Sequence, residues 1–318
     1  MSQVNTVWQL YLFYGALIAI GASGAFIPAL ATVSRWFVKK RGMMTGIVLA
    51  GINTGTLIVA PISRWLIASY GWRTSYSILG IVVLVLVVFI AQFQKRDPGQ
   101  MGLLPYGADE ANGENLDIRG LSLRETIHTR QFWMLSAAYI FSRVGIQAIL
   151  VHIVAHAIEL NISTASAVSV LTTIAGLAIV GRITLGSIAD RIGNKLALAI
   201  SFFLMTLALL WVISARELWM LHLFAIVFGL GYGGSATLMS PTGAELFGQS
   251  SLGVILGILN FVGNIGGTIG PVLAGRIFDV FSSYQMAFSI FAALIIISII
   301  LTLALKPTHR HISETSWK

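Results

Sequence analysis

The chain has no cysteine, and only 10% of its 318 residues are charged. Without cysteine there is no disulfide, no thiol nucleophile and no metal site with thiolate ligands. Soluble domains carry about 25% charged residues, so this composition excludes a protein whose whole surface faces water. The hydrophobic fraction of 56% and the mean hydropathy of +0.85 indicate instead that the protein is embedded in lipid.

The sequence also lacks the short alternating segments of a membrane β-barrel, whose strands alternate apolar and polar residues over about 10 positions. Its apolar runs are long enough to cross a bilayer as helices, which satisfy their own backbone hydrogen bonds in lipid. We therefore predict an all-α polytopic membrane protein. The predicted spans cover residues 7–33, 43–62, 75–94, 132–158, 164–186, 196–213, 218–243, 252–274 and 286–305.

The net charge of +8 would favour a nucleic-acid partner in a soluble protein. In a membrane protein the same excess is expected from Lys and Arg in cytoplasmic loops, so we predict no nucleic-acid partner. If the loop before residue 43 is cytoplasmic, that side holds fourteen basic residues and the other side four. This bias predicts a cytoplasmic C-terminus, and we expect the protein in the bacterial inner membrane with the bilayer as its partner.

One polar segment, residues 97–130, interrupts the series and contains Pro98 and Pro105. We interpret it as a cytoplasmic central linker. It separates the three spans within 1–96 from the six spans within 131–306, and residues 307–318 are predicted to form a cytoplasmic tail.

An internal repeat relates the first three spans to the last three, because several small and polar residues recur about 211 positions later. The related pairs include Gly42 and Gly253, Gly46 and Gly257, and Asn53 and Asn264. Such a parallel repeat relates the two halves of a twelve-helix transporter. Completing the first unit requires three helices before Met1, so we expect nine of twelve transmembrane helices here.

The turn between the fifth and sixth predicted spans reads GSIADRIGNK over residues 186–195. This order resembles the inter-helix loop signature of the major facilitator superfamily of secondary transporters, and departs from it at Asn194, where a basic residue is usual. Residues 35–46 and 71–73 resemble turns of its monocarboxylate-porter and oxalate/formate-antiporter branches. The resemblance covers essentially the whole chain and implies the major facilitator fold, transport by alternating access, and no enzymatic activity.

The resemblance also implies that this turn is a conformational latch on the cytoplasmic face. Its glycines permit tight helix approach, Asp190 would bond to the helix that opens near Gly42, and the basic residues would meet nearby carboxylates. The alternative is a positively charged topological anchor. The latch residues are Gly186, Asp190, Arg191, Gly193 and Lys195.

Two arginines lie inside predicted spans. Arg143 is near the centre of the fourth span, where a charge costs at least about 3 kcal/mol, and we assign it with Gln147 to an anion site. A structural ion pair is the alternative. By resemblance, Arg182 aligns with the arginine that binds the carboxylate in monocarboxylate porters, although Ala178 replaces their aspartate. Snorkelling of Arg182 to the interface is its alternative.

The remaining polar candidates are asparagines and histidines within the spans. We assign Asn53, Asn260 and Asn264 to the substrate site, with helix packing as an equal alternative. His152 and His156 share a helical face, and they suggest a proton relay because histidine titrates near neutrality. We favour interfacial histidines over that relay.

We therefore predict a secondary transporter of small, monocarboxylate-like organic anions, with a coupling proton or counter-anion and no cofactor or metal. A non-transporting truncated fragment is one alternative. An integral membrane enzyme is the other, and it would need acid, base or metal clusters that the sequence does not display. No nucleotide-binding loop supports direct ATP drive.

Overall fold

The computed structural model describes residues 3–108 and 120–306, and most of these residues are helical. Within them, eight continuous helical stretches are long and apolar enough to cross a membrane. The first is α1, Val7–Trp36, and the second is Arg41–Phe93. A short helix α4, Leu123–Ile127, precedes the remaining six. These six are α5 (Arg130–Glu159), α6 (Thr164–Ile192), α7 (Asn194–Ser214), α8 (Leu218–Phe247), α9 (Leu252–Phe281) and α10 (Gln285–Leu303).

The stretch Arg41–Phe93 contains two helices rather than one. A straight helix of its 53 residues would be about 80 Å long, well beyond a hydrocarbon core of about 30 Å. Gly71 breaks it with φ 73° and ψ 161°, a backbone conformation that glycine tolerates. We name residues 41–70 α2 and residues 72–93 α3, so each of the nine predicted spans coincides with one helix, and two of them, 75–94 and 286–305, run one or two residues past its end.

Helix α3 returns alongside α1. At one end the Arg73 guanidinium donates to the Val4 carbonyl and the Asn5 side chain. At the other end Trp36 Nε1 donates to the Lys95 carbonyl. The two helices therefore run in the same direction, with α2 as the antiparallel connection.

Two names for the ends of the bundle follow from this path. We call the end that carries residues 37–40 and Gly193 the linker face, and the end that carries Gly71 and residues 160–163 the far face. Parts of the predicted linker, residues 97–108 and 120–129, lie at the linker face. The predicted tail, 307–318, and linker residues 109–119 lie outside the described residues.

Helices α5–α10 form one bundle with its own core. The principal packing pairs are α6 with α8, α5 with α9, and α7 with α8, while α10 packs on α5 and α7. Backbones approach closely at glycines: a Cβ at Gly181 would overlap the Leu230 carbonyl, and one at Gly233 would overlap the Ala178 carbonyl. Small residues at helix interfaces are typical of membrane bundles, where close packing drives association.

Helix α2 joins the first three helices to this bundle. A Cβ at Gly42 would overlap the Gly186 carbonyl, and one at Gly46 would overlap the Arg182 carbonyl. The α2–α6 seam is therefore closed at the linker face. It places the turn 186–195 against the beginning of α2.

Candidate functional site

The Asp190 carboxylate caps the beginning of α2 from a different helix. Its Oδ1 accepts from the Gly42 N–H at 2.8 Å, and its Oδ2 accepts from the Met43 N–H at 2.9 Å. Lys40, the residue before α2, makes no side-chain cap. Because the first N–H groups of a helix lack internal partners and carry partial positive charge, the carboxylate is stabilised there. The structure thus places Asp190 where the resemblance implied.

The rest of the turn differs from the expected pattern. Gly193, with φ 90°, ends α6 and starts α7. Asn194 Nδ2 donates to Glu245 Oε2 at 2.7 Å, whereas Lys195 Nζ donates to the Leu305 carbonyl at 2.8 Å. Lys195 therefore bonds a backbone carbonyl rather than the carboxylate that the resemblance implied, while Asn194 bonds to Glu245. Arg191 is exposed.

Arg182 is buried between α6 and α2, and its side chain is only 3% exposed. Its Nη1 donates to the Leu49 carbonyl at 2.5 Å and its Nη2 to Asn53 Oδ1 at 3.3 Å. Among the described residues, its Nε has no hydrogen-bond partner and no carboxylate pairs with it. The snorkelling alternative is wrong for this side chain, because it points into the protein. Arg182 is a buried cation held only by neutral groups.

Two side chains lie beside the Arg182 guanidinium, Asn53 on α2 and Tyr232 on α8. Asn53 Nδ2 donates to the Ala175 carbonyl at 3.0 Å, which fixes the amide so that its oxygen faces Arg182. The Tyr232 side chain on α8 lies close enough to interact electrostatically with Arg182. Sequence reasoning missed Tyr232, because a lone tyrosine in a glycine-rich apolar helix gives no sign of which neighbour it faces.

A cavity of about 160 Å³ lies beside this cluster, between α2, α5, α6 and α8. Asn53, a hydrogen-bond partner of Arg182, and the neighbouring Tyr232 form part of its wall. Its lining residues are Asn53, Thr56, Leu57, Leu150, Leu171, Ile174, Ala175 and Tyr232. The cavity is therefore polar where it meets the arginine cluster and apolar elsewhere, as small-molecule sites usually are.

Arg143 belongs to the same region. It is half-buried, its Cγ would lie 3.6 Å from a Cβ at Gly263, and its charge acts on Arg182. Gln147, one turn further along α5, packs against Gly267. The structure therefore places a second positive charge within electrostatic range of Arg182.

In the part of the chain that the structure describes, the other two predicted asparagines, Asn260 and Asn264, do not hydrogen-bond to Arg182 or Asn53. Asn260 is half-buried and Asn264 is exposed on α9. The Asn264 backbone carbonyl accepts from Thr268. Asn53, the repeat partner of Asn264, is the one whose amide bridges two helices.

The predicted histidine pair packs among α5, α9 and α10. His152 Nε2 lies 3.0 Å from the Pro271 carbonyl, and its Nδ1 lies 3.1 Å from the Tyr284 hydroxyl. His156 is 3% exposed and packs edge-on against Tyr284 and Phe288. Its nearest carboxylate oxygen, on Glu159, is 3.6 Å away. Burial, then Glu159 and Asp279, raises the pKa of Tyr284, so this phenol keeps its proton.

The structure is thus a bundle of membrane-crossing helices with a small cavity between α2 and the six-helix part, and this cavity is polar beside Asn53 and Tyr232 and apolar elsewhere. The chain belongs to the Major Facilitator Superfamily, whose family model matches residues 1–267 and 132–318. This is a family of non-enzymatic transporters. The predicted fold class, membrane location and absence of enzymatic activity are thereby confirmed.

Several relatives are carriers by name. Monocarboxylate transporter 12 of Rattus norvegicus is 28% identical over 94% of this chain and 67% of its own length. Human monocarboxylate transporter 10 is 28% identical over 90% of this chain and 57% of its own length. An uncharacterised MFS-type transporter of Bacillus subtilis, YcxA, is 24% identical over 86% of this chain and 66% of its own length. The chain thus spans between 57% and 67% of these relatives.

Solved structures share the fold. The superfamily transporter FucP in its outward conformation superposes with a TM-score of 0.68 at 16% identity, covering 93% of this chain and 76% of FucP. The proton:xylose symporter XylE gives a TM-score of 0.58 at 14% identity, covering 85% of this chain and 65% of XylE. These likenesses concern the fold alone, because the identities are low. Relatives come from animals and bacteria, so a bacterial inner-membrane location stays a prediction.

Proposed function

We propose that the protein carries small organic anions across the membrane by alternating access, and that Arg182 binds the carboxylate of the substrate. The observation that carries this proposal is the buried Arg182 guanidinium, which is 3% exposed; among residues 3–108 and 120–306 its Nε has no partner and its hydrogen-bond partners are neutral. An uncompensated buried charge is costly. A substrate carboxylate would compensate it, because guanidinium and carboxylate match in two-pronged geometry.

The surroundings of Arg182 support an anionic substrate. Arg143 adds a second positive charge, and Ala178, one turn before Arg182 on α6, contributes no carboxylate. The cavity beside Asn53 and Tyr232 has the size of a small solute. Two relatives are named monocarboxylate transporters, which agrees with a monocarboxylate as the substrate class.

Alternating access requires that the seam between α2 and α6 opens and closes. In this structure the seam is closed at the linker face by the Gly42–Gly186 contact and by Asp190 on the beginning of α2. We assign the latch function to this contact. The basic-residue bias supports a cytoplasmic linker face, and in this proposal the closed seam is the one that faces the cytoplasm, with the C-terminus on that side.

Other predicted residues take lesser parts in this proposal. Asn53 orients Arg182, while Gln147, Asn260 and Asn264 are further substrate contacts that α5 and α9 present. His152 is engaged by Pro271 and Tyr284, which supports a structural role over the proton relay. Coupling is to a proton or to a counter-anion; uptake driven by a pH gradient, compared with uptake driven by preloaded anion, separates the two.

The test is uptake of labelled pyruvate, a small monocarboxylate, into proteoliposomes that contain the full chain. We expect Arg182→Gln to reduce uptake more than tenfold, since removing one partner of a buried charge pair costs about 2–5 kcal/mol and about 1.4 kcal/mol is tenfold. Arg182→Lys keeps the positive charge but not the two-pronged guanidinium geometry, so we expect its uptake to be intermediate between that of the unsubstituted chain and that of Arg182→Gln.

The matched control is Arg276→Gln, because Arg276 is exposed near the far face. We expect it to transport like the unsubstituted chain. Equal uptake by Arg182→Gln and Arg276→Gln would overturn the assignment of Arg182. Absence of uptake by the unsubstituted chain, in either gradient, would favour the non-transporting fragment.

A further inference from the structure

A larger cavity, of about 390 Å³, lies at the linker face between the ends of α1 and α3 and the beginning of α9. The proposed transport site does not use it. Two arginines line it: Arg35 in the last turn of α1, and Arg96, three residues past the end of α3. Its other lining residues are Pro28, Ala31, Thr32, Ala91, Gln94 and Gly253. The cavity therefore combines two guanidinium groups with a largely apolar wall.

The two arginine charges have no direct partner within the protein. In the part of the chain that the structure describes, neither guanidinium forms a hydrogen bond or an ion pair. Arg96 repels Arg35 more strongly than Asp97 attracts it. The Asp97 carboxylate instead accepts from the Gln100 N–H at 3.2 Å and caps the short helical turn that follows. An anion bound between the two guanidinium groups relieves their repulsion.

The beginning of α9 adds to the positive potential of this cavity. Gly253, in the first turn of α9, is part of the wall. Within the described residues, the Ser251 side chain does not cap this helix. The first N–H groups of a helix lack internal partners and carry partial positive charge. Two arginines and one helix N-terminus therefore meet at the same cavity.

The cavity lies at the depth of the membrane–water interface. Trp36 follows Arg35 at the end of α1, and tryptophan is enriched at this level of a bilayer. Its Nε1 donates to the Lys95 carbonyl, and both residues line a neighbouring cavity of about 300 Å³. Toward the bilayer, α3 presents Phe89 and Phe93, which are 63% and 70% exposed. A ligand here meets positive charge at the linker face and apolar surface along the helices.

From this combination we propose that the cavity binds the headgroup of an anionic phospholipid, with the phosphate between Arg35 and Arg96 and the acyl chains along α1 and α3. Guanidinium matches phosphate in two-pronged geometry, and basic pockets between transmembrane helices are typical headgroup sites. A free phosphate shares the anionic group but has no apolar part to place on Pro28, Ala31 and Ala91. The bound lipid contacts both the first three helices and the six-helix part. The inference does not depend on the proposed anion transport.

The test is native mass spectrometry of the full chain, released from detergent micelles, with phosphatidylglycerol as the probe and phosphatidylcholine as its zwitterionic counterpart. We expect the chain to retain phosphatidylglycerol preferentially. The double variant Arg35→Gln, Arg96→Gln should bind it about twenty-five-fold more weakly, because each basic residue near an anionic surface contributes roughly fivefold in affinity. The matched control is Arg124→Gln, Arg130→Gln, which removes two exposed arginines near the linker face but outside the cavity. It should bind like the unsubstituted chain.

Gln94→Glu is a second variant, and it leaves both arginines in place. Gln94 is an exposed residue of the cavity wall, so a carboxylate there takes the place of the phosphate charge and should abolish the preference for phosphatidylglycerol. An excess of inorganic phosphate should not displace the lipid; displacement would indicate a free-anion site and overturn the lipid assignment. Equal retention of phosphatidylglycerol by the two double variants, or of both lipids by the unsubstituted chain, would also overturn the proposal.

Discussion

The first three helices and the last six use apolar residues in opposite ways. The most apolar 18-residue window of Arg41–Phe93 has a mean hydropathy of 2.6, yet 0% of it is buried. In α8 the corresponding window has a mean hydropathy of only 1.4, yet 67% of it is buried. Apolar side chains gain little by leaving lipid, so in a bilayer the core forms where glycine, serine and threonine let helices approach. Within the six-helix part, the α6–α8 contact is closest where glycine backbones touch, as at Gly181 and Gly233.

The sharpest test of this comparison is the α6–α8 seam. Gly181→Ala places a methyl group on the Leu230 carbonyl, whereas Gly176→Ala on the same helix meets nothing within 4 Å. Overpacking of this kind costs about 1–3 kcal/mol. We expect thermal unfolding, followed by tryptophan fluorescence in detergent, to occur at clearly lower temperature for Gly181→Ala only. Equal unfolding temperatures of the two variants would show that the seam is not tightly packed.

The attachment of α2 is expected to be the next most sensitive feature. Gly46→Ala overlaps the Arg182 carbonyl, but Gly257→Ala, at the repeat-related position, meets nothing within 4 Å. We expect Gly46→Ala to open the α2–α6 seam while the six-helix core stays folded. Because the chain has no cysteine, maleimide labelling of Leu49→Cys reports this opening.

Leu49 is 2% exposed in the closed seam, so its cysteine substitute should label slowly in the unsubstituted background and with Gly257→Ala. It should label rapidly with Gly46→Ala. Slow labelling in all three backgrounds would mean that α2 accommodates the extra methyl group.

The carboxylate cap should matter less than the glycines. Asp190→Asn removes the charge but keeps one acceptor for the Gly42 and Met43 N–H groups, so we expect a loss of about 1 kcal/mol. Maleimide labelling of Leu49→Cys should rise modestly. Asp279→Asn, an exposed carboxylate near the far face, is the control, and a rise of equal size with that substitution would argue against a local cap.

The smallest effect is expected at one buried hydroxyl of the core. Ser298 Oγ, on α10, donates to the Ala138 carbonyl of α5 at 3.0 Å and is 0% exposed. Ser298→Ala should destabilise the six-helix part by about 0.5–1.5 kcal/mol. Ser289→Ala, which loses only an exposed bond within α10, should leave the unfolding temperature unchanged. A larger loss at Ser289 would contradict this placement of the core.

The sequence indicated the helices and the family, but only part of the site. Long apolar runs predict spans, and the turn 186–195 carries enough polar residues at fixed spacing to point to its contact with α2. Tyr232 was missed because its role depends on how α8 is rotated, and a helix that is apolar all round gives no periodic signal of its rotation. The predicted carboxylate partner of Lys195 was wrong. Asn194, which stands where a basic residue is usual, bonds to the Glu245 carboxylate, and Lys195 bonds to the Leu305 carbonyl.

The two ends of the linker are fastened to different parts of the molecule. The Tyr106 backbone exchanges hydrogen bonds with Trp36 and Val38 beside α1, while the Leu121 N–H donates to the Phe247 carbonyl at the end of α8. The separation between residues 106 and 121 therefore follows the relative orientation of the two helix groups rather than the path of the linker. A pair of spin labels at these positions would therefore measure any change in the relative orientation of the two helix groups.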